Sequence, residues 1–298
     1  MTSYRGIVII LFLSILMLRT YASDTINSDS VFRTDEKHMS ELVSQLIDIR
    51  FDDARLDKLS KQITEEFDII LNKEGSFNYP FDSIFPMGKI VSEDKLVRIF
   101  TWFAIRADGT HIHFGYIQHH NTKMDKIQLY PLIDKSDTIP ENIENLSFDN
   151  NNWLGATYYD IIESESSFYG KTYTLLGWDG NNIYTKKKII ETLMFVNDDK
   201  PKFGVALFPI NNTKHKRLIY EYSRMASMML KYDTQQHMIV MDHLAPTKSL
   251  YNDNPQFYGP DLSVDALKFE NELWIYFPSI DYKPNTKKNK KRFNKNRR

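Results

Sequence analysis

The sequence predicts an α+β fold, in which an N-terminal helical hairpin is followed by a mainly antiparallel β body with one short helix. Three observations carry this expectation. Apolar residues recur at three- and four-residue steps between residues 35 and 73, the period of a helix face. From Phe77 onward the period changes to two, and turn-forming Asp, Asn and Gly separate the runs. The 298 residues are 42% hydrophobic and 13% aromatic, with only 11 Gly and 11 Pro, so the chain carries the large side chains that a packed core requires.

In chain order, Arg5, the 13-residue apolar run at 6–18 (GIVIILFLSILML) and the small residues around Ala22 have the layout of a secretory signal peptide over residues 1–22. The run is shorter than the roughly 20 residues that span a bilayer, so cleavage rather than anchoring is expected, leaving a soluble, exported chain. Residues 23–34 form a polar linker. In the hairpin at 35–73, Leu42, Val43, Leu46 and Ile47 share one face of a first helix. Leu56, Leu59, Ile63, Phe67 and Ile70 share a face of a second, with Asp52 and Asp53 as caps between them. The apolar stripe should pack on the body, a partner protein being the alternative.

The body spans 77–282. Runs at 95–104 (KLVRIFTWFA) and 110–118 (THIHFGYIQ) flank an Asp108-Gly109 turn and read as a β-hairpin, which 126–133 extends as a meander. A polar stretch at 138–152 divides the body into possible halves, 77–137 and 153–282. Residues 169–178 read as a strand, 185–195 (TKKKIIETLMF) as a short helix, and 201–208, 217–224, 227–232, 237–244 and 266–277 as further strands, the last folded at Glu270, Asn271 and Glu272.

Several segments, notably those carrying WDG (178–180) and FYGPD (257–261), resemble exported Bacteroidetes proteins of unknown function. The likeness covers roughly residues 77–281, excludes the C-terminal tail, and implies a periplasmic or secreted bacterial setting without implying an activity.

The chemistry open to the chain is narrowed by what it lacks. With no cysteine there are no disulfides, thiol nucleophiles or thiolate metal sites. The dinucleotide, P-loop, HExxH and GxSxG signatures are also absent. His111 and His113 are the best metal-ligand pair, because residues two apart on a strand project to one face about 6.5 Å apart. Such a pair would suit Zn or Fe in a metal-dependent hydrolase, with a third ligand required from His119, His120 or the 242–243 region. The alternative places both histidines on the solvent face of the hairpin, and no cofactor is the preferred expectation. Loops at 149–152, 179–182 and 252–254 offer oxygen ligands but lack EF-hand spacing, and Glu163 with Glu165 or Asp261 with Asp265 are candidate acid–base pairs. Trp153, Trp178, Tyr158 and Tyr159 suit a sugar platform or, more simply, a core.

A formal net charge of −1 conceals a division, for residues 283–298 carry nine Lys or Arg and no acid. Lys287, Lys288, Lys290, Lys291, Arg292, Lys295, Arg297 and Arg298 within this expected disordered tail are candidate contacts for an anionic polymer or lipid surface. The acidic body argues against nucleic acid. The expected function is that of an exported cell-envelope binding or interaction module, contacting an envelope protein or polymer, with no catalytic residue assignable.

Overall fold

The computed structural model describes residues 30–284, apart from 50, 140, 141 and 212. The leader at 1–22 and the tail beyond Pro284, with all eight of its candidate contact residues, lie outside the described residues. Two helices open the described chain, α1 over 30–48 and α2 over Asp53–Leu71, with the Asp52 side chain accepting a hydrogen bond from the Arg55 N–H as N-cap. Among the described residues sixteen strands follow, most of them in three antiparallel sheets. The first has the order β1 (Gly88–Val91), β2 (Val97–Ile105), β3 (His111–Asn121), β4 (Lys126–Ile133).

The second sheet runs β5 (Phe148–Asp149), β9 (Lys200–Phe203), β8 (Thr185–Val196), β7 (Gly170–Asp179), β6 (Thr157–Ser166), with β12 (Arg217–Ser223) also paired to β8. β10 (Phe208–Ile210) and β11 (Thr213–His215) form a small ribbon. The third sheet is the meander β13 (Leu230–Asp233), β14 (Met238–Pro246), β15 (Tyr258–Glu270), β16 (Leu273–Phe277). This is the expected α+β architecture.

Each apolar face finds the next layer. The helical hairpin packs on the first sheet, with Phe67 stacked 5.1 Å from Trp102 and the Tyr116 hydroxyl donating to Thr64 O. The other face of that sheet, with Ile99, Ile117 and Leu132, shares a core with Leu175, Ile189 and Leu193 of the second. The far face of the second sheet, with Leu176, Ile190 and Leu218, meets Met241, Leu267 and Trp274 of the third. The Trp274 indole N–H donates to Thr174 Oγ1 at 2.9 Å across that seam.

Two expectations need correction. The segment 185–195 is not a helix but most of β8, the centre of the second sheet. A strand covered on both faces shows a continuous apolar run, Ile189 and Leu193 on one side and Ile190 on the other, and over so short a length this run imitates a helix. The segment 201–208 is not one strand, because Gly204 adopts φ +83° and breaks it into β9 and β10.

Candidate functional site

Ile47 does not share the buried stripe of α1. Residues 39, 42, 43, 46 and 49 are buried in steps of three and four, and Ile47 lies outside that arc with 53% of its surface exposed. It borders a cavity of about 600 Å³, within the roughly 300–1,000 Å³ usual for ligand sites. One wall comes from α1 and its exit, with Val43, Leu46 and Phe51; the other comes from Ile183 and Arg224 of the second sheet's turns. Between them runs the end of β2.

That strand end is open. Backbone hydrogen bonds in an antiparallel ladder alternate between neighbours. The Arg106 N–H donates to Thr110 O on the β3 side, so residues 102, 104 and 106 face β3. The Ser92 N–H donates to Val97 O on the β1 side, so 97, 99, 101, 103 and 105 face β1. Pairing with β1 ends at Thr101 opposite Gly88, and Pro86 just before it has no N–H to donate. The N–H and C=O of Phe103 and Ile105 therefore point into the groove, and among the described residues no backbone or side-chain group bonds them there.

Charge in the groove is sparse. Arg106 lies 3.5 Å from Asp57, and the Asp108 carboxylate is engaged by the N–H and hydroxyl of Thr110 at 2.8 and 2.7 Å. The Arg224 guanidinium donates to the Asn182 carbonyl, at 2.8 Å, and has no ion pair among the described residues.

His111 and His113 lie behind the groove, and neither is on a solvent face. The first sheet is covered on both sides, so the odd-numbered face of β3 packs against the second sheet rather than water. His111 packs against Phe103 and Trp178, with ring centroids 5.2 and 5.8 Å away, and its backbone N–H donates to Asn181 O. Burial, partly offset by the Asp179 charge, pushes its pKa down to about 4, so the ring is neutral near pH 7. His113 lies between two carboxylates, with Nδ1 3.5 Å from Asp134 and Nε2 3.7 Å from Asp179, while its backbone N–H donates to Asp134. Burial works to raise the Asp134 carboxyl, but His113 and the Ser136 N–H outweigh it and hold it below the ordinary range.

Among the described residues, no group of three or more His, Cys, Asp or Glu side chains is placed to hold a metal ion. His119 lies eight residues further along β3, stacked on Phe195 at 3.6 Å and 3.3 Å from Asp198. His120 contacts Asp125 instead.

The other candidates resolve into turn and core chemistry. Asp179 accepts from Asn181 N, and Asp149 accepts from Asn151 N and Asn152 N, so these loops satisfy themselves. Trp153 and Tyr158 are fully buried. The Glu163 carboxylate accepts from Asp94 N at 2.6 Å. Asp265 does not converge with Asp261; it accepts from His243 at 2.8 Å, the Tyr276 hydroxyl at 2.5 Å and the Ser279 N–H at 2.9 Å. A bulge between Asp242 and Leu244 swings His243 onto Asp265, a pairing that strand alternation alone does not reveal.

The groove itself has no linear motif; only Asp108-Gly109, which fixes the hairpin tip, and Pro86, which ends β1, announce it. Comparison of the chain with protein-family models, with curated proteins and with solved structures finds no match.

Proposed function

We propose that this chain is an exported cell-envelope protein that acts as a non-catalytic binding module, and that the groove along the end of β2 is its contact surface. The observation that supports this reading is the coincidence, in one cavity, of apolar walls with backbone donors and acceptors that have no partner among the described residues. Apolar surface supplies affinity and a few unsatisfied polar groups supply orientation, which is the usual division of labour in a binding site. The leader-like run at 6–18 supports export, and the basic tail is proposed as a second, electrostatic contact with anionic envelope polymer or lipid.

Site-specific photo-cross-linking tests the reading. A photoreactive phenylalanine analogue at Phe51, on the groove rim, should capture an envelope component in the native host. The same analogue at Phe168, equally exposed at 83% but at the opposite end of β7, should not. Equal capture at the two positions, or none at 51, refutes it.

A further inference from the structure

Resting on the reading of the groove as a contact surface, we infer that its occupant is an extended apolar segment of a partner polypeptide, which joins the first sheet as a strand beside β2. A lipid tail would satisfy the walls and leave the N–H and C=O of Phe103 and Ile105 without partners. A peptide strand satisfies both, because its own backbone supplies the complementary groups at the ladder spacing. Room for it beside β2 lies at this end of the strand: among the described residues β1 covers β2 as far as Thr101, and the remaining edge opens into the cavity.

The register fixes what the segment must carry. Ala104 faces the helical hairpin and belongs to its core, so the peptide residue opposite it points toward Val43 and Leu46 and must be apolar. Residues opposite Phe103 and Ile105 point to the other wall, which consists of Ile183 and Arg224. Arg224 is the one charged group lining the groove that has neither a carboxylate nor a hydroxyl partner among the described residues. One of those two outer peptide residues is therefore acidic and the other apolar. The ligand class is a short β-strand segment in which an apolar residue is flanked by one acid and one further apolar residue. The groove is also held ready for it, since the His111 N–H bond to Asn181 O fixes the hairpin tip against the turn that carries Ile183.

The test is selection of a phage-displayed random octapeptide library on the full chain, expressed with its own leader. The expected result is a family with the apolar and acidic pattern above. N-methylation of an enriched peptide at alternate residues should abolish binding in one phase, where the methyl replaces the N–H that faces β2, and spare it in the other. Arg224→Glu, a change at an exposed residue, should weaken the acidic peptides at least about tenfold, and replacing the peptide's acid by lysine should recover that loss. Absence of an enriched family, binding indifferent to the phase of N-methylation, or affinity unchanged by Arg224→Glu overturns the inference. If photo-cross-linking from position 51 still captures a component when these peptides fail, the groove remains a contact surface and only its assignment to a peptide strand falls.

Discussion

Glu191 and Arg217 offer the most exacting check of the core between the first two sheets. Both side chains are essentially without solvent exposure, and Arg217 Nε donates to Glu191 Oε1 at 2.7 Å. The second carboxylate oxygen accepts from the Tyr158 hydroxyl at 2.7 Å, which in turn accepts from the Trp153 indole N–H at 2.9 Å. The guanidinium also donates to the carbonyls of Ile143 and Leu146 and so clamps the 143–146 turn. Replacing Glu191 by Leu leaves a buried guanidinium without its counter-charge and a tyrosine hydroxyl without its acceptor. Removing one partner of such a pair costs about 3–5 kcal/mol, equivalent in a domain of this size to a fall of roughly 6–20 °C in Tm. Arg217→Met should cost a comparable amount, whereas the double variant should be much less destabilised than the sum of the two, because neither charge is then stranded. Urea and thermal unfolding of the four proteins measure the cycle. Single variants within about 1 kcal/mol of the parent, or strictly additive effects, would show that the two buried charges do not depend on each other.

Three further outcomes follow from the same reasoning. His111 is held neutral with its pKa depressed from 6.5 to about 4, so the unfolded chain binds the proton more readily; the stability it contributes is complete above pH 6.5 and falls by on the order of 3 kcal/mol as pH drops to about 4. His111→Phe should flatten that part of the urea-midpoint profile, and an unchanged profile contradicts the assignment. A Cβ on Gly180 would lie 2.1 Å from His111 Nε2, so Gly180→Ala should displace the ring, cost about 1–3 kcal/mol and weaken photo-cross-linking from position 51; a variant matching the parent in both assays shows that the tip is not so held. Arg98, buried with its guanidinium 4.5 Å above Phe100, donates to the carbonyls of Ser76, Phe77, Tyr79 and Pro80, so Arg98→Met should cost about 3 kcal/mol and speed hydrogen exchange in residues 76–84. Arg98→Lys should restore little of this, since an ammonium cannot span four carbonyls, and full recovery by lysine refutes the geometry.

What could be read from the chain is what local periodicity and turn chemistry encode. The helical hairpin, its Asp52 cap, the Asp108-Gly109 hairpin and β4 at Lys126–Ile133 follow from patterns a few residues long. β8 imitates a helix because burial on both faces erases the alternation that marks a strand, and the same double burial puts His111 and His113 in the interior instead of in water. β1 is only four residues long and β6 carries a bulge, so neither is among the strands that the sequence predicts. The groove is legible at no single position. It exists because β1 stops beside Thr101 while β2 continues to Ile105, and because α1 ends against that overhang.

The histidine pair and the groove are parts of one arrangement. A strand that overhangs its neighbour loses half its ladder, and two residues with free backbone groups would fray if the sheet alone held them. The hairpin tip is instead fixed on its far side: His111 N–H to Asn181 O, His113 N–H to the Asp134 carboxylate, and Gly109 so close to Ile183 that a Cβ there would lie 2.3 Å from its Cγ2. The residue pair that sequence spacing marks for a metal is thereby occupied in bracing β3, and β3 braces the length of β2 that is left open. A rigid edge loses little conformational entropy when a strand adds to it, so the bracing favours binding at the groove without contributing a single contact to the ligand.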